Sequence, residues 1–196
     1  MQAIGLDFRP VSPLDTAEPA PLPGEAPVVY ALRAAEAKAC GVPSEVFHAE
    51  PPPVMIAADT IVVLKGRILG KPGNPERAYA MLRSLAGTTH DVVTGCVMYS
   101  QGAVLHAFAV QTQVSMWDAP PVLLHTYANS NEPLDKAGAY AAQGAGAALV
   151  RGINGSWSNV VGLPLTELVE ALLRMNIIAP DGAKVNQDAA TSVAKL

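Results

Sequence analysis

The sequence predicts an α/β protein whose helices flank a mixed β-sheet. Apolar, β-favouring runs alternate along the chain with segments of helical spacing, which is the pattern of layered α/β folds. A Lys65-Gly66 pair joins two of these runs and predicts an antiparallel hairpin. With 196 residues, 50% of them hydrophobic, the chain can form one domain of ordinary size or two small lobes around a shared core.

The first third of the chain predicts a loop, a helix and the hairpin. The segment Asp7–Pro27 is rich in proline and acidic residues, which indicates an extended loop. A helix is expected from Pro27 to Gly41. A strand over Val54–Leu64 then turns into a short return strand that ends at Gly70. The spacing predicts the buried stripe of the helix at Val28, Leu32, Ala35 and Ala39.

The clearest helix signals lie between Asn74 and Gly87. Asn74 is a good N-cap and Pro75 suits the first helical position. Its buried stripe is predicted at Ala78, Met81, Leu82 and Leu85. Two strands are expected next, joined by Ser100-Gln101-Gly102, and an amphipathic helix begins near Pro164. Residues 1–179 are therefore expected to form a single domain, and the polar residues 180–196 a disordered tail.

Composition excludes several function classes. The net charge of −4 and the pI of about 5.5 argue against a general nucleic-acid binder, which would carry a basic stripe. The longest apolar runs are interrupted by Asp59 or by glycines, so no membrane-spanning helix is expected, and the first ten residues show no signal-peptide pattern. The four histidines are scattered without ligand-like spacing, so each is expected to be a surface or a satisfied core histidine.

The cysteines and the last residues bear on location. Cys40 and Cys96 are isolated thiols, which fits a reducing compartment and predicts a cytoplasmic protein without disulfides. The C-terminal Ala194-Lys195-Leu196 resembles the peroxisomal Ser-Lys-Leu signal, with alanine in place of serine. A peroxisome-like organelle is therefore the alternative location.

One acidic residue does not fit its surroundings. Asp59 lies between the apolar runs Val54–Ala58 and Ile61–Leu64, where we expect it to interrupt one buried strand. Burying a carboxylate costs several kcal/mol unless it is paired or solvated. The residue alone therefore allows two interpretations: a structural carboxylate that caps a bulge or pairs with a lysine, or a functional carboxylate beside a cleft.

Four long motifs decide between these interpretations. They are "AADTIVVLKGRILGKP", "AYAMLRSLAGTTHDVVTG", "EPLDKAGAYAAQG" and "INGSWSNVVGLPL". Their order and spacing resemble the Maf family of nucleoside triphosphate pyrophosphatases, over about residues 4 to 178. The resemblance implies a two-lobed fold with an elongated mixed sheet, flanking helices and a cleft between the lobes. It also implies a homodimer and hydrolysis of a nucleoside triphosphate to the monophosphate and pyrophosphate, with Mg²⁺ or Mn²⁺.

The resemblance assigns roles to individual residues. It makes Asp59 the proton acceptor, which can also face the metal, and it makes Lys38 and Lys71 phosphate-facing lysines. Lys136 is a further candidate, which alternatively forms a surface ion pair with Asp135 or Glu132. A family glutamate near the metal matches Glu18 loosely.

Two positions bear on the substrate. The branch of the family that favours dTTP and UTP has threonine after the catalytic aspartate and glutamine in the later glycine-rich motif, here Thr60 and Gln143. A side-chain amide offers both donors and an acceptor to a pyrimidine edge. The resemblance therefore favours dTTP and UTP, although Gln143 could equally make an ordinary loop hydrogen bond.

One family motif has no match. Family members carry a Ser-x-Ser-Pro-Arg-Arg loop before the region that "MQAIGLDFRP" resembles, and Ser12-Pro13 is not followed by an arginine pair. The chain is therefore expected to be truncated at its N-terminus relative to the family. Two functions follow from this: a nucleoside triphosphate pyrophosphatase, or a catalytically impaired nucleotide-binding or regulatory relative.

Overall fold

The computed structural model describes residues 8–14 and 19–179, and in these ranges five strands and five α-helices are formed. The strands are β1 (Met55–Leu64), β2 (Arg67–Leu69), β3 (Thr89–Ser100), β4 (Ala103–Met116) and β5 (Val150–Asn154). The helices are α1 (Pro27–Cys40), α2 (Pro75–Leu85), α3 (Pro121–Ala128), α4 (Trp157–Val161) and α5 (Leu165–Arg174). Short 3-10 helices occur at Ser44–His48, Glu132–Asp135, Ala137–Ala139 and Ala145–Leu149. The predicted tail, 180–196, lies outside the described residues.

The strands form one open sheet in the order β2-β1-β3-β4-β5. The α/β class with flanking helices is confirmed, but every pairing between the described strands is antiparallel, so this part of the sheet differs from the expected mixed sheet. Tight connections account for two of the four pairings, β1–β2 and β3–β4. Lys65-Gly66 and Gln101-Gly102 close two hairpins with positive φ at both turn residues, as the tightest hairpin turns require, and hairpin-linked strands are antiparallel.

Helix α1 covers one face of the sheet. The cluster between this helix and the sheet joins Tyr30, Ala31 and Ala34 to Ile61, Val63 and Val93. Ala35 and Ala39 of the helix are buried as well. The predicted stripe was therefore wrong at Val28, which is exposed, because the small side chains of the alanines let the helix backbone come close to the strands.

None of the helices among the described residues is long and apolar enough to cross a bilayer.

The opposite face carries two apolar clusters with a polar belt between them. One cluster joins the sheet to α2 and α3, and the other joins it to α5. Between Val92 of the first cluster and Cys96 of the second, Thr94 begins a belt that continues through Thr112 and Asn159, all three buried.

Helix α2 forms as predicted: the Asn74 side chain accepts a hydrogen bond from the Arg77 amide at 2.9 Å. Its buried stripe comprises Ala78, Leu82 and Leu85, with Met81 partly buried.

Candidate active site

A cleft of about 440 Å³ opens along the outer edge of β1. Strand β2 pairs only with Val62–Leu64, so the described sheet leaves the edge of β1 from Ala58 to Ile61 uncovered on that side, and these residues line the cleft. Successive side chains of a strand point to opposite faces. The open edge therefore lets side chains from both faces of β1 reach one cleft.

Asp59 lies on the face that α1 covers. Strand β1 is continuous from Met55 to Leu64, and Asp59 pairs regularly with Gly95, so the expected interruption of the strand was wrong. The carboxylate reaches the cleft because the edge is open there. Asp59 is 6% exposed. Its Oδ1 accepts a hydrogen bond from Nζ of Lys38, in the last turn of α1, and the two side chains form an ion pair. Asp59 therefore fits a part of each interpretation, because it pairs with a lysine and also lines the cleft.

Thr60 lies on the opposite face of β1. It stands opposite Thr94 in the β1–β3 ladder, and the two hydroxyl oxygens are 2.8 Å apart. Thr60 lines the cleft together with Gly162 at the end of α4. A β-carbon on Gly162 would lie 3.6 Å from Thr60 Oγ1, and the φ of +114° at this position favours glycine.

Two further lysines lie on the cleft wall. Lys71 follows β2 in the segment before α2. Lys136 Nζ binds both carboxylate oxygens of Asp135, at 2.7 and 2.8 Å, and this bond holds the pKa of Asp135 below its usual range. The ion pair with Asp135, one of the two alternatives for Lys136, is thus formed, yet both residues line the cleft.

Gln143 is exposed on a loop that hydrogen bonds to the partly buried Glu132 hold in place. Glu132 accepts hydrogen bonds from the amides of Ala145 at 3.1 Å and Gly146 at 3.0 Å, and from the Tyr127 hydroxyl at 2.7 Å. The Tyr127 oxygen in turn accepts from the Ala141 amide at 3.1 Å. The hydroxyl of Tyr127, and then the two amides, lower the pKa of Glu132. The sequence interpretation missed this role, although Glu132 opens the "EPLDK" motif.

A buried histidine contacts another residue of the cleft lining, Tyr140. His90 Nε2 lies 2.8 Å from the hydroxyl of Tyr140, which lines the cleft. Burial lowers the pKa of His90 to about 4 and raises the pKa of Tyr140. His90 lies in the core, one of the two predicted places, but its Nδ1 has no hydrogen-bond partner among the described residues. Its lowered pKa keeps it neutral at physiological pH.

The described residues contain no group of three or more histidine, cysteine or acidic side chains that could hold a metal ion. Glu18, the second predicted metal candidate, lies outside the described residues. The structure thus places six of the predicted residues around one cleft: Lys38, Asp59, Thr60, Lys71, Lys136 and Gln143.

Comparison with known proteins agrees with this geometry. The profile of the family described as "Maf-like protein" matches residues 1–175. A dTTP/UTP pyrophosphatase of Nitratidesulfovibrio vulgaris is 48% identical over 177 residues, which cover 90% of this chain and 82% of that protein. Proteins of the same name from Oleidesulfovibrio alaskensis and Myxococcus xanthus are each 46% identical, covering 94% and 89% of this chain and 83% and 86% of their own lengths. The chain therefore belongs to the Maf family.

Proposed function

We propose that this chain is a hydrolase that converts dTTP and UTP to the monophosphate and pyrophosphate, with Asp59 as the general base. The observation that carries the proposal is the Lys38–Asp59 pair on the open edge of β1, inside a cleft that also holds Lys71, Lys136 and Gln143. Relatives named dTTP/UTP pyrophosphatase, aligned over about nine-tenths of the chain, support the same reaction.

The lining of the cleft combines charged and uncharged side chains. The charged residues in the described lining are three lysines, Lys38, Lys71 and Lys136, and two aspartates, Asp59 and Asp135. The uncharged residues include Thr60, Gln143 and mostly apolar residues of the 140–143 loop and α4. Lysines near phosphate oxygens stabilise the charge that develops on a leaving pyrophosphate. The triphosphate is therefore expected to lie near the lysines, and the nucleobase near Thr60 and Gln143.

Asp59 is held where it can take a proton. Its backbone is fixed in the β1–β3 ladder and its carboxylate is almost fully buried beside Lys38. Water that attacks the α-phosphorus must lose a proton as the new P–O bond forms and the bond to the bridging oxygen of pyrophosphate breaks. A rigidly placed carboxylate accepts that proton, and Lys38 keeps the carboxylate oriented toward the cleft.

A divalent cation, Mg²⁺ or Mn²⁺, belongs to the proposal. In nucleotide sites Mg²⁺ is bound through one or two carboxylates together with substrate phosphates, and the described cleft offers the carboxylates of Asp59 and Asp135. Lys136 binds both oxygens of Asp135. Asp59 is the carboxylate that the family resemblance names as facing the metal. The cation would neutralise charge on the phosphates.

A homodimer and a cytoplasmic location remain predictions that come from the family resemblance and from the isolated cysteines. The alternative organelle signal, Ala194–Leu196, lies outside the described residues. Sedimentation of the purified chain measures the first prediction. Imaging a fusion with and without the last three residues measures the second.

The test of the function is a pyrophosphate-release screen with this 196-residue chain over dTTP, UTP, dCTP and GTP, with Mg²⁺ or Mn²⁺. The dTTP/UTP pyrophosphatase of Nitratidesulfovibrio vulgaris is the matched positive control. We expect release from dTTP and UTP. Nucleotide binding in calorimetry without release would instead establish the impaired, regulatory alternative, and neither binding nor release would contradict both.

A further inference from the structure

The hydroxyl of Thr60 ends a series of hydrogen-bonded groups in which only one direction lets every contact carry a proton. Thr94 Oγ1 lies 2.8 Å from Thr60 Oγ1 and donates to the Asn159 backbone oxygen at 3.1 Å. A carbonyl oxygen has no proton to give, and a threonine hydroxyl has one. Both contacts of Thr94 are hydrogen bonds only when its single proton goes to the Asn159 oxygen. It follows that Thr60 donates to Thr94.

The Asn159 carbonyl, at the far end of this series of hydrogen bonds, is held by several further bonds. The Asn159 oxygen also accepts from the Gly162 amide at 3.0 Å, so both of its lone pairs are used. The Asn159 side chain is fully buried, and its Nδ2 donates to Val92 O at 3.1 Å and to Thr112 Oγ1 at 3.0 Å. These bonds tie the carbonyl to β3 and β4.

The consequence concerns what Thr60 can offer a ligand. Its proton is committed to Thr94, so any hydrogen bond from Thr60 Oγ1 to a molecule in the cleft is one that Thr60 accepts. Thr60 lines the cleft together with Gln143 and Gly162, neither of which carries a charge. The bare backbone of Gly162 keeps space beside the hydroxyl.

We propose that Thr94 and the Asn159 carbonyl are positioning groups that make Thr60 an obligate acceptor, and that this selects a pyrimidine whose N3 carries a hydrogen. Thymine and uracil have N3–H, whereas N3 of cytosine is itself an acceptor. Two acceptors facing each other leave both unpaired, which weakens binding. This inference rests on the proposed function and adds a specific device to it.

The experiment compares kcat/KM for dTTP and dCTP in the wild type, Thr94→Val and Thr94→Ser. Valine has the same shape but no hydroxyl, so the Thr60 proton is released and can turn toward cytosine N3. We expect the dTTP-to-dCTP ratio to fall about tenfold in Thr94→Val, since an unpaired buried polar group typically costs that much. Thr94→Ser retains the hydroxyl and is expected to keep the ratio within about twofold.

The result that overturns the inference is an equal loss for both nucleotides in Thr94→Val, because a purely structural role would leave the ratio unchanged. Should Thr94→Val fail to fold, Thr60→Val gives a second test at a partly exposed position, where the ratio must also fall. Wild-type protein that releases pyrophosphate from neither nucleotide would refute the proposed function itself, and this inference with it. A wild-type preference for dCTP would refute only the inference.

Discussion

Gly95 lies directly beneath Ala31 of helix α1: a β-carbon at Gly95 would sit 2.4 Å from the carbonyl carbon of Ala31. Gly95 is also the partner of Asp59 across the β1–β3 ladder. Helix α1 thus rests on the one position opposite the candidate base, and this helix carries Lys38. We therefore infer that Lys38 can approach Asp59 only because glycine, which has no side chain, occupies position 95.

Gly95→Ala should therefore lower both stability and activity. A methyl group at this site collides with helix backbone, which cannot move aside as a flexible side chain can. We expect the free energy of unfolding to fall by about 1–3 kcal/mol, the usual cost of overpacking. We also expect kcat/KM for dTTP to fall because Lys38 moves away from Asp59. Urea unfolding and the pyrophosphate assay measure the two effects.

Gly152→Ala is the matched control. Gly152 lies in β5, where a β-carbon would meet no heavy atom within 4 Å. Its unfolding free energy should stay within about 0.5 kcal/mol of wild type. If Gly95→Ala were as stable and active as Gly152→Ala, the close approach of α1 would not matter for the site.

Glu132→Gln should weaken substrate binding more than turnover. The glutamate accepts three hydrogen bonds that hold the loop carrying Gln143, and the amide nitrogen of glutamine would face a donor instead. We expect KM for dTTP to rise by up to about tenfold, the effect of leaving one hydrogen-bonding group unpaired, with a smaller change in kcat. Glu45→Gln at an exposed site controls for the charge change. An unchanged KM would show that the network does not position the loop.

Stability should depend on pH through His90. Its pKa is lowered to about 4 in the folded protein, chiefly by burial, from an unfolded value near 6.5. Between these values the unfolded chain binds the extra proton, so stability is complete above about pH 6.5 and is lost as the pH falls toward 4. The loss is roughly 3 kcal/mol at most. Urea midpoints measured from pH 7 to 4 record it.

Two variants isolate this contribution. His90→Gln removes the titrating group and should show a smaller loss between pH 6.5 and 4 than the wild type does. Tyr140→Phe removes only the hydrogen bond at Nε2 and should retain the loss, because burial rather than that bond is the main cause. An identical pH dependence in His90→Gln and wild type would contradict the assignment.

Local signals in the sequence were sufficient for the elements whose causes are local. The Lys65-Gly66 hairpin and the Asn74 cap formed as predicted because turn geometry and capping depend on neighbouring residues. The stripe of α1 was partly wrong because the sheet, and Gly95 in particular, favours small residues such as Ala31 over large ones such as Val28. Sequence spacing alone does not contain that contact.

The site was predicted through resemblance rather than spacing. Asp59 was conspicuous as an acid in an apolar strand, but only its motif suggested a cleft, and the strand proved continuous there. Glu132, Thr94 and Asn159 were missed because their roles arise from contacts between segments far apart in the chain. Thr94 and Asn159, for example, are 65 positions apart.

The most direct test of Asp59 as the general base is pyrophosphate release from saturating dTTP by Asp59→Asn, beside Asp135→Asn as a second cleft carboxylate. Asparagine keeps the shape of Asp59 but cannot accept the proton from water. We expect Asp59→Asn to lose about 10³-fold in kcat, as removal of a general base does, while calorimetry still shows dTTP binding. Asp135→Asn should keep most of its activity. Turnover by Asp59→Asn near the wild-type rate would contradict the assignment of Asp59 as the base.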